Sequence, residues 1–259
     1  MTQPAARRRV VVDLGAVMLD PLALRAAVEL AELAGAEFAG LFIEDVNLLR
    51  LGSLPFAAEI GLASAAWRPL ATADVERMLR LQAARLQRVL EEAARVIAME
   101  WSFEVTRGMP LASLLEARGD VVVVPGAARR RGGHDGPEQA LRQAFAGGPA
   151  GTAAGGRGPV AVVLDQGAAS GRALESAQAL ARNRAVETLV IATVGAMEMD
   201  AGHAPDMRTI RLPDSVPETL ARALRGAQAL FWPAPADPAA VREIEAVRRL
   251  LDCPLVLIR

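Results

Sequence analysis

The chain has 259 residues, of which 52% are apolar and 23% are charged, and its formal net charge is −1. A chain of this length can bury a substantial core, and its aromatic content of only 3% predicts that Ala, Val, Leu and Ile build that core. The balanced charge argues against nucleic acid as a partner, since the phosphate backbone requires a clustered positive excess.

Missing residue types exclude several kinds of chemistry. All 29 basic residues are arginine, which excludes P-loop nucleotide binding and Schiff-base or pyridoxal phosphate enzymes, because these need a lysine amine. Two histidines and one cysteine exclude an internal disulfide and leave no zinc site to predict. No apolar run reaches the length of a membrane span, and the run after the arginines at 7–9 is interrupted by Asp13. We therefore expect a cytoplasmic protein without a membrane span.

Short apolar runs alternate with helical patterns along the chain. Asp20 and Pro21 predict a capped helix start, and a long amphipathic helix over 74–98 is expected to bury Met78 and Val96 among others. A short helix fits residues 138–145, and further helix starts are indicated at 215–218 and 237–238. The apolar runs lie at residues 10–12, 38–43, 121–124, 160–164, 189–192 and 255–258. This alternation predicts an α/β fold with a doubly wound, flavodoxin- or Rossmann-like parallel sheet.

The two halves of the chain repeat one pattern. In each half an aspartate, Asp13 or Asp165, ends a first apolar strand, and a helix and a second strand follow. This indicates two α/β units in tandem, the second one reduced, rather than one continuous sheet. Ten glycines lie between residues 125 and 158, which is typical of a loop or linker. We predict a first domain over 1–126, a linker over 127–158 and a second, smaller domain over 159–259.

The order of these segments resembles the universal stress protein family. The first half has Val-Val-Val-Asp at 10–13, Glu-Leu-Ala-Gly at 32–35, a third strand at 101–107, Gly-Met-Pro at 108–110 and Asp-Val-Val-Val-Val-Pro-Gly at 120–126. The second half has Asp-Gln-Gly at 165–167 and ends with Asp-Cys-Pro-Leu-Val-Leu-Ile-Arg at 252–259. The resemblance covers residues 8–126 and 159–259. It implies a tandem member whose first unit lacks a fifth strand and whose second lacks the long second helix.

The family resemblance also bears on ligands and partners. Members that bind ATP carry Gly-x2-Gly-x9-Gly-Ser/Thr after the fourth strand, where backbone amides hold the phosphates. Here Gly126 is followed by Ala-Ala-Arg, and a register starting at Gly133 places Ala146 where the third glycine belongs. The matching loop of the second half, 233–238, contains prolines and no glycine. The resemblance therefore implies a stress-response protein with a degenerate ATP motif and no cofactor. The protein implied in this way would act by protein–protein interaction, as a homodimer with 254–259 near a subunit or domain seam.

A nucleotide-binding alternative stays open. In ATP-binding relatives the aspartate that matches Asp13 lies beside the nucleotide, and guanidinium groups could replace the missing glycine amides. The alternative is a regulatory protein that holds ATP or AMP with Mg²⁺ in the first-half crevice. Its candidate residues are Asp13, Gly15, Ile43, Gly126, Arg129, Arg130 and Arg131. The competing interpretation is that Asp13 and Asp165 cap the turns that follow them, and that the three arginines and His134 are exposed loop residues.

One apolar segment, residues 47–67, fits neither a regular strand nor a regular helix. Gly52, Pro55 and Gly61 interrupt it after the second strand. It is interpreted either as a ligand lid or partner-binding surface, or as a loop that folds onto the core or is buried between the two tandem units. Catalysis has little support, because no nucleophile elbow is present and the adjacent Glu44 and Asp45 should point to opposite faces of their strand. We therefore expect a protein that is not an enzyme.

Overall fold

A computed structural model describes most of the chain. The described residues are 8–14, 20–60, 65–126, 137–146, 158–165, 167–192, 206–212, 217–234 and 240–259. Within these ranges, none of the helices combines the length and hydrophobicity that a membrane span needs.

The described residues form strands and helices in near-regular alternation. The strands are β1 (Arg9–Asp13), β2 (Glu37–Asp45), β3 (Ala58–Ile60), β4 (Trp67–Pro69), β5 (Trp101–Gly108), β6 (Val121–Val124), β7 (Val160–Leu164), β8 (Thr188–Ala192), β9 (Met207–Arg211), β10 (Ala229–Pro233) and β11 (Leu255–Ile258). The helices are α1 (Pro21–Ala34), α2 (Val46–Gly52), α3 (Thr72–Val96), α4 (Pro110–Glu116), α5 (Pro137–Phe145), α6 (Ala169–Asn183), α7 (Pro217–Ala223) and α8 (Ala240–Leu250). The predicted α/β fold with a parallel sheet is confirmed.

Nine strands form one sheet in the order β5-β2-β1-β6-β11-β10-β7-β8-β9. Every neighbouring pair is parallel except β6 and β11, which are antiparallel. Each half therefore contributes its strands in the order third, second, first, fourth, and β11 is the fifth strand of the second half. The strand order is the same in both halves, but the expectation that the halves do not share one continuous sheet is wrong, because the pairing of β11 with β6 joins them edge to edge.

The closing strand lies at the seam between the two halves, as expected. It is paired on one side with β10 and on the other with β6, with Val256 opposite Val123. β11 thus occupies the place beside β6 that a fifth strand of the first half would take. The residues in which that strand is predicted to be missing, 147–156, lie outside the described residues, and so do 194–205, where the second half was expected to lack a helix. The domain boundaries at 126 and 158 stay predictions.

Two apolar layers cover the sheet. One contains α1, α3, α5 and α6, and the other contains α4, α7 and α8. Aliphatic side chains and alanine dominate both layers, as the composition predicts, although Phe38, Phe42 and Phe231 are the largest fully buried side chains. The edge-on contact of Phe38 with Phe145, at a ring-centroid distance of 5.1 Å, holds α5 against β2.

The helix boundaries agree with the sequence in part. Asp20 caps α1 by accepting a hydrogen bond from the Leu22 amide at 3.0 Å, with Pro21 in the first turn, as predicted. α3 begins at Thr72, two residues before the predicted start. Met78 and Val96 are exposed rather than buried, because the helical repeat directs Val75, Leu79, Leu86 and Leu90 to the core instead. Of the helix start predicted at 215–218, residues 217 and 218 are described and open α7. The start predicted at 237–238 lies outside the described residues.

Candidate functional site

The two crevices predicted from Asp13 and Asp165 lie at opposite edges of the sheet. Asp13 ends β1, and Asp165 directly follows β7. Because β6 and β11 are antiparallel, the strands of the two halves run in opposite directions. The carboxyl ends of the first-half strands therefore lie on the opposite side of the sheet from those of the second half. Each crevice edge must therefore be considered by itself, since residues of the two cannot act on one ligand.

Gly126, a candidate residue of the first crevice, packs against the second half of the chain. Gly126 is buried, and a side-chain carbon there would lie 2.5 Å from the Cys253 carbonyl oxygen and 3.2 Å from that of Leu251. Its backbone amide donates to the Asp20 carboxylate. Burial raises the pKa of Asp20, and the amides of Leu22, Ala23 and Gly126 oppose that shift. Gly126 therefore serves a close backbone contact and a helix cap.

The other candidate residues of the first crevice do not gather around it. Ile43 is 2% exposed and packs in the apolar layer that contains α4. Asp13 is buried at the end of β1, whose neighbour β6 leads to Gly126. The remaining candidates lie outside the described residues: Gly15, Arg129, Arg130 and Arg131, together with His134. The structure thus brings Asp13 and Gly126 to neighbouring strand ends and places Ile43 in the core.

Asp165 caps the turn into α6, as one of the two interpretations proposed. Its carboxylate accepts hydrogen bonds from the Gly167 amide at 2.7 Å and from the Ser170 hydroxyl at 2.6 Å. The Ser170 hydroxyl in turn accepts from the Asp165 amide at 3.1 Å, and Ser170 is 1% exposed. These contacts commit the Ser170 hydroxyl and Oδ1 of Asp165 to the local fold.

Glu44 and Asp45 point to different partners, as predicted from their adjacency. The Glu44 carboxylate accepts from Arg107 Nε at 2.9 Å, across to the neighbouring strand β5. Asp45 caps α2 by accepting from the Asn47 amide at 2.8 Å. No three His, Cys, Asp or Glu side chains in the described ranges come together as a metal site. The two carboxylates therefore stabilise the end of β2 separately.

The segment 47–67 presents apolar side chains to solvent. Leu49 and Gly52 are buried and hold α2 against α3, where Gly52 lies close to the Thr72 backbone. Beyond them β3 and β4 form a two-stranded antiparallel hairpin. We define the apolar hairpin surface as the exposed side chains of Leu51, Leu54, Phe56, Ile60 and Trp67. Phe56 is 80% exposed and Trp67 72%, so these side chains do not fold onto the core.

A groove beside this hairpin was not predicted from the sequence. It is a cleft of about 880 Å³ between β4, α3 and α5. Four arginines, Arg68, Arg77, Arg85 and Arg142, outnumber the two carboxylates Asp74 and Glu138 in its lining, so the cleft is net positive. We define Met78, Leu81, Arg77, Arg85 and Arg142 as the cationic groove. The signal for it was present in α3, where Met78 and Leu81 lie off the core face within an arginine-rich stretch. The helical pattern was instead assigned wholly to the core.

Comparisons with known proteins give structural likeness alone. No protein-family model and no curated protein sequence matches the chain. The fold is similar to that of a universal stress protein from Archaeoglobus fulgidus DSM 4304, with a TM-score of 0.49 and 12% identity over 96% of each chain. It is also similar to a functionally unknown protein from Pseudomonas aeruginosa PAO1, with a TM-score of 0.47 and 12% identity over 98% of this chain and 92% of that one. At these scores and identities the likeness assigns neither family nor function.

Proposed function

We propose that this chain is a tandem, degenerate member of the universal stress protein family. In this proposal it acts in the cytoplasm by binding partner proteins, without catalysis and without a nucleotide cofactor. The order of motifs in the sequence supports the family. So does the strand order, because each half repeats the same arrangement of first to fourth strands. The observation that carries the mode of action is the apolar hairpin surface, since exposed contiguous apolar side chains are typical of contact sites.

The packing around Gly126 supports a function without nucleotide. In ATP-binding relatives the phosphate loop begins at the matching position and needs free backbone amides. Here the Gly126 amide is committed to Asp20, and the loop at Leu251–Cys253 covers the glycine. In the second half, the prolines of 233–238 offer no amide donors. Both positions are poorly suited to binding phosphate.

The environment of the nucleophilic side chains supports a function without catalysis. Cys253, the single cysteine, is 2% exposed, and burial raises the pKa of its thiol to about 12. A thiol in this state is a poor nucleophile at neutral pH. Ser170 is hydrogen-bonded to Asp165 and has no basic partner among its described contacts.

A homodimer belongs to the proposal only through a surface other than the closing strand. In the family, dimers often form at that strand. In this chain both edges of β11 are paired internally, one with β10 and one with β6. The contact that would join two subunits elsewhere therefore joins the two halves of one chain here.

A second candidate is the adenine-nucleotide-binding regulatory protein. The observation that favours it is the placement of Asp13 and Gly126 at the ends of the neighbouring strands β1 and β6. β1 lies between β2 and β6, so the strand order reverses its direction at β1. In open α/β sheets, ligands bind at such a topological switch point. In this case Asp13 would lie beside ATP or AMP, with Mg²⁺.

A pull-down experiment tests whether the apolar hairpin surface binds a partner protein. The immobilised full-length chain is exposed to a lysate of the encoding organism, next to the double variant Phe56→Ser/Trp67→Ser and the control Val96→Ser. Val96 is a matched control because it is 83% exposed and apolar but lies at the far end of α3. We expect a specific protein that the wild type and Val96→Ser retain and the double variant loses, with the same order of Kd values after its purification. Equal recovery on all three baits contradicts the proposal.

A further inference from the structure

The cationic groove has an apolar floor and charged walls. Met78 and Leu81 are 52% and 56% exposed on α3, and the buried Leu86 closes the floor between them and α5. Arg142 and Gln139 form the wall on α5, and Arg68 closes the end beside the hairpin. The groove thus adjoins the apolar hairpin surface, but it is concave, whereas the hairpin projects.

α3 carries a run of arginines, of which Arg77 and Arg85 line the groove. The helix carries Arg77, Arg80, Arg85 and Arg88, and no acidic residue occurs from 77 to 90. These positions are three to five residues apart, so the guanidinium groups follow neighbouring turns of the helix. Among the described residues, no ion pair engages Arg80, Arg85 or Arg88. The Nε groups of Arg80 and Arg88 donate only to helix carbonyls, at 3.2 and 3.3 Å.

The other arginines at the groove are paired at its margin. Arg77 is 3.1 Å from Asp74, and Arg142 is 2.8 Å from Glu92; both pairs are largely exposed. Exposed pairs of this kind contribute little to stability, and a better-placed carboxylate can replace them at small cost. The groove therefore offers one guanidinium group without an ion pair, that of Arg85, in its middle and exchangeable ones at its ends.

We propose that the cationic groove binds an acidic amphipathic helix of a partner protein. In this arrangement the apolar side of the partner helix lies on Met78 and Leu81, and its carboxylates pair with Arg85, Arg77 and Arg142. A helix suits a cleft between two helices, since it presents apolar anchors at i, i+3, i+4 and i+7 along one line. This inference rests on the proposed function, because it names the chemistry of the partner.

Two other anionic partners fit the groove less well. A lipid bilayer presents a flat surface, which would leave the concave floor unfilled. Single-stranded nucleic acid is usually held by aromatic side chains that stack on its bases, and none of the described residues that line the groove is aromatic. An acidic helix accounts for both the apolar floor and the guanidinium groups around it.

Fluorescence anisotropy with designed peptides tests this proposal on the full-length chain. The probe is a labelled peptide of about 18 residues with leucines along one helical face and glutamates elsewhere, which spans about 27 Å when helical. One matched peptide has lysine in place of glutamate, and another scrambles the order of the same residues. We expect saturable binding of the acidic amphipathic peptide alone, weakening as salt rises because exposed charge pairs are screened.

Single variants place the site. Arg85→Glu and Leu81→Ser should each raise the Kd of the acidic peptide about tenfold or more, since one removes a charge contact and the other an apolar contact. The control is Arg172→Glu, at an exposed position on α6 far along the chain, and it should leave the Kd within about twofold. Thermal unfolding of all three variants establishes that they remain folded.

Several outcomes overturn the inference. These are the absence of binding at millimolar peptide, equal binding of the lysine or scrambled peptide, and a Kd that Arg85→Glu leaves unchanged. Binding to phosphatidylserine vesicles that Arg85→Glu abolishes, without peptide binding, assigns the groove to a membrane surface instead. A partner captured through Phe56 and Trp67 but insensitive to Arg85→Glu leaves the proposed function standing and removes only this inference.

Discussion

Cys253 is placed where its ionisation is coupled to folding. The side chain is buried beside Gly126 at the seam of the two halves. Burial is the main cause that raises the pKa of its thiol to about 12, and the nearby carboxylates of Asp20 and Asp252 add to the shift. The sequence contains no lysine and no tyrosine, so no other side chain titrates between pH 9 and 12.

This gives a prediction for alkaline pH. Above pH 9 the thiol of the unfolded chain loses its proton while the folded chain keeps it, so the unfolded state binds fewer protons and stability falls with rising pH. We expect the free energy of unfolding, from urea titrations, to decline by up to about 1.4 kcal/mol per pH unit until the folded thiol ionises.

The variant Cys253→Ala isolates this effect. It should remove the decline between pH 9 and 12, although it costs some stability at neutral pH because it opens a small cavity. The native thiol should also resist iodoacetamide at pH 8 and react once the chain is unfolded in guanidinium chloride. An alkaline decline of equal slope in wild type and variant would show that the thiol does not carry it.

Among individual residues, the sequence predicted local roles better than site geometry. Asp20 as a helix cap and Asp165 as a turn cap follow from neighbours within five residues, which the sequence displays directly. The burial of Gly126 against Cys253 depends on a contact between residues 127 positions apart, and no local pattern carries that information. The role of Gly126 was therefore predictable only as a departure from a motif.

Three helices end in the same left-handed cap with different residues. Gly35, Ala98 and Ala185 have φ values of 55°, 52° and 52° after α1, α3 and α6. In each case the next amide donates to the carbonyl five residues before it, at 2.9, 3.0 and 3.0 Å. This is the Schellman arrangement, in which glycine is favoured because a side-chain carbon is strained at positive φ. The two alanines therefore carry strain that Gly35 avoids.

Exchanging these residues should change stability in opposite directions. Ala98→Gly and Ala185→Gly should each raise the free energy of unfolding by about 0.5–1 kcal/mol, since the relieved strain exceeds the added freedom of the unfolded chain. Gly35→Ala should lower it by a similar amount, and no heavy atom lies within 4 Å to clash with the new carbon. Urea unfolding measures all three. A loss of stability in both glycine variants would refute the assignment of strain.

Among the elements, most strands of the large sheet were predictable, including the edge strand β5, expected at 101–107 and found at Trp101–Gly108. The strands β3, β4, β9 and β10 were not identified. Continuous apolar runs identified β1, β2, β6, β7, β8 and β11. β9 lies at the sheet edge and carries two arginines and a threonine among its five residues, so it lacks such a run. β10 lies inside the sheet and has the apolar run Ala-Leu-Phe-Trp at 229–232, which was missed in the sequence. The helix α5 was predicted, but its packing between α1 and α3 was not, because the apolar pattern of a helix does not show which other helices it contacts.

The whole molecule is held together across the seam by contacts between the two halves. Glu29 on α1 is 2.8 Å from Arg184 at the end of α6, and both side chains are nearly buried. Arg184 also donates to Gln228 at 3.2 Å, which in turn donates to the Gly158 carbonyl. At the opposite edge, the Arg259 guanidinium donates to the carbonyls of Leu115 and Ala117 at the end of α4. With β6 and β11, these contacts account for one sheet built from two repeats.

The proposed binding surfaces lie away from Gly126 and the first-half crevice. The apolar hairpin surface and the cationic groove belong to the hairpin, α3 and α5, whereas Gly126 lies under the loop that precedes β11. The proposed partner contacts therefore do not involve the residues of that crevice. These features support the proposal that the protein retains the α/β fold of the family but binds no nucleotide in the first-half crevice.

The most direct test of this claim is a thermal unfolding scan with ATP, ADP or AMP and Mg²⁺, together with native mass spectrometry of the purified protein. If the protein binds no nucleotide, we expect no bound nucleotide in the mass spectrum and no change in Tm at millimolar ligand. A ligand at a hundred times its Kd would stabilise the fold by about 2.7 kcal/mol, or roughly 5–10 °C. A shift of that size, abolished by Asp13→Ala and kept by the distant Arg172→Glu, would contradict the account and establish the nucleotide-binding alternative.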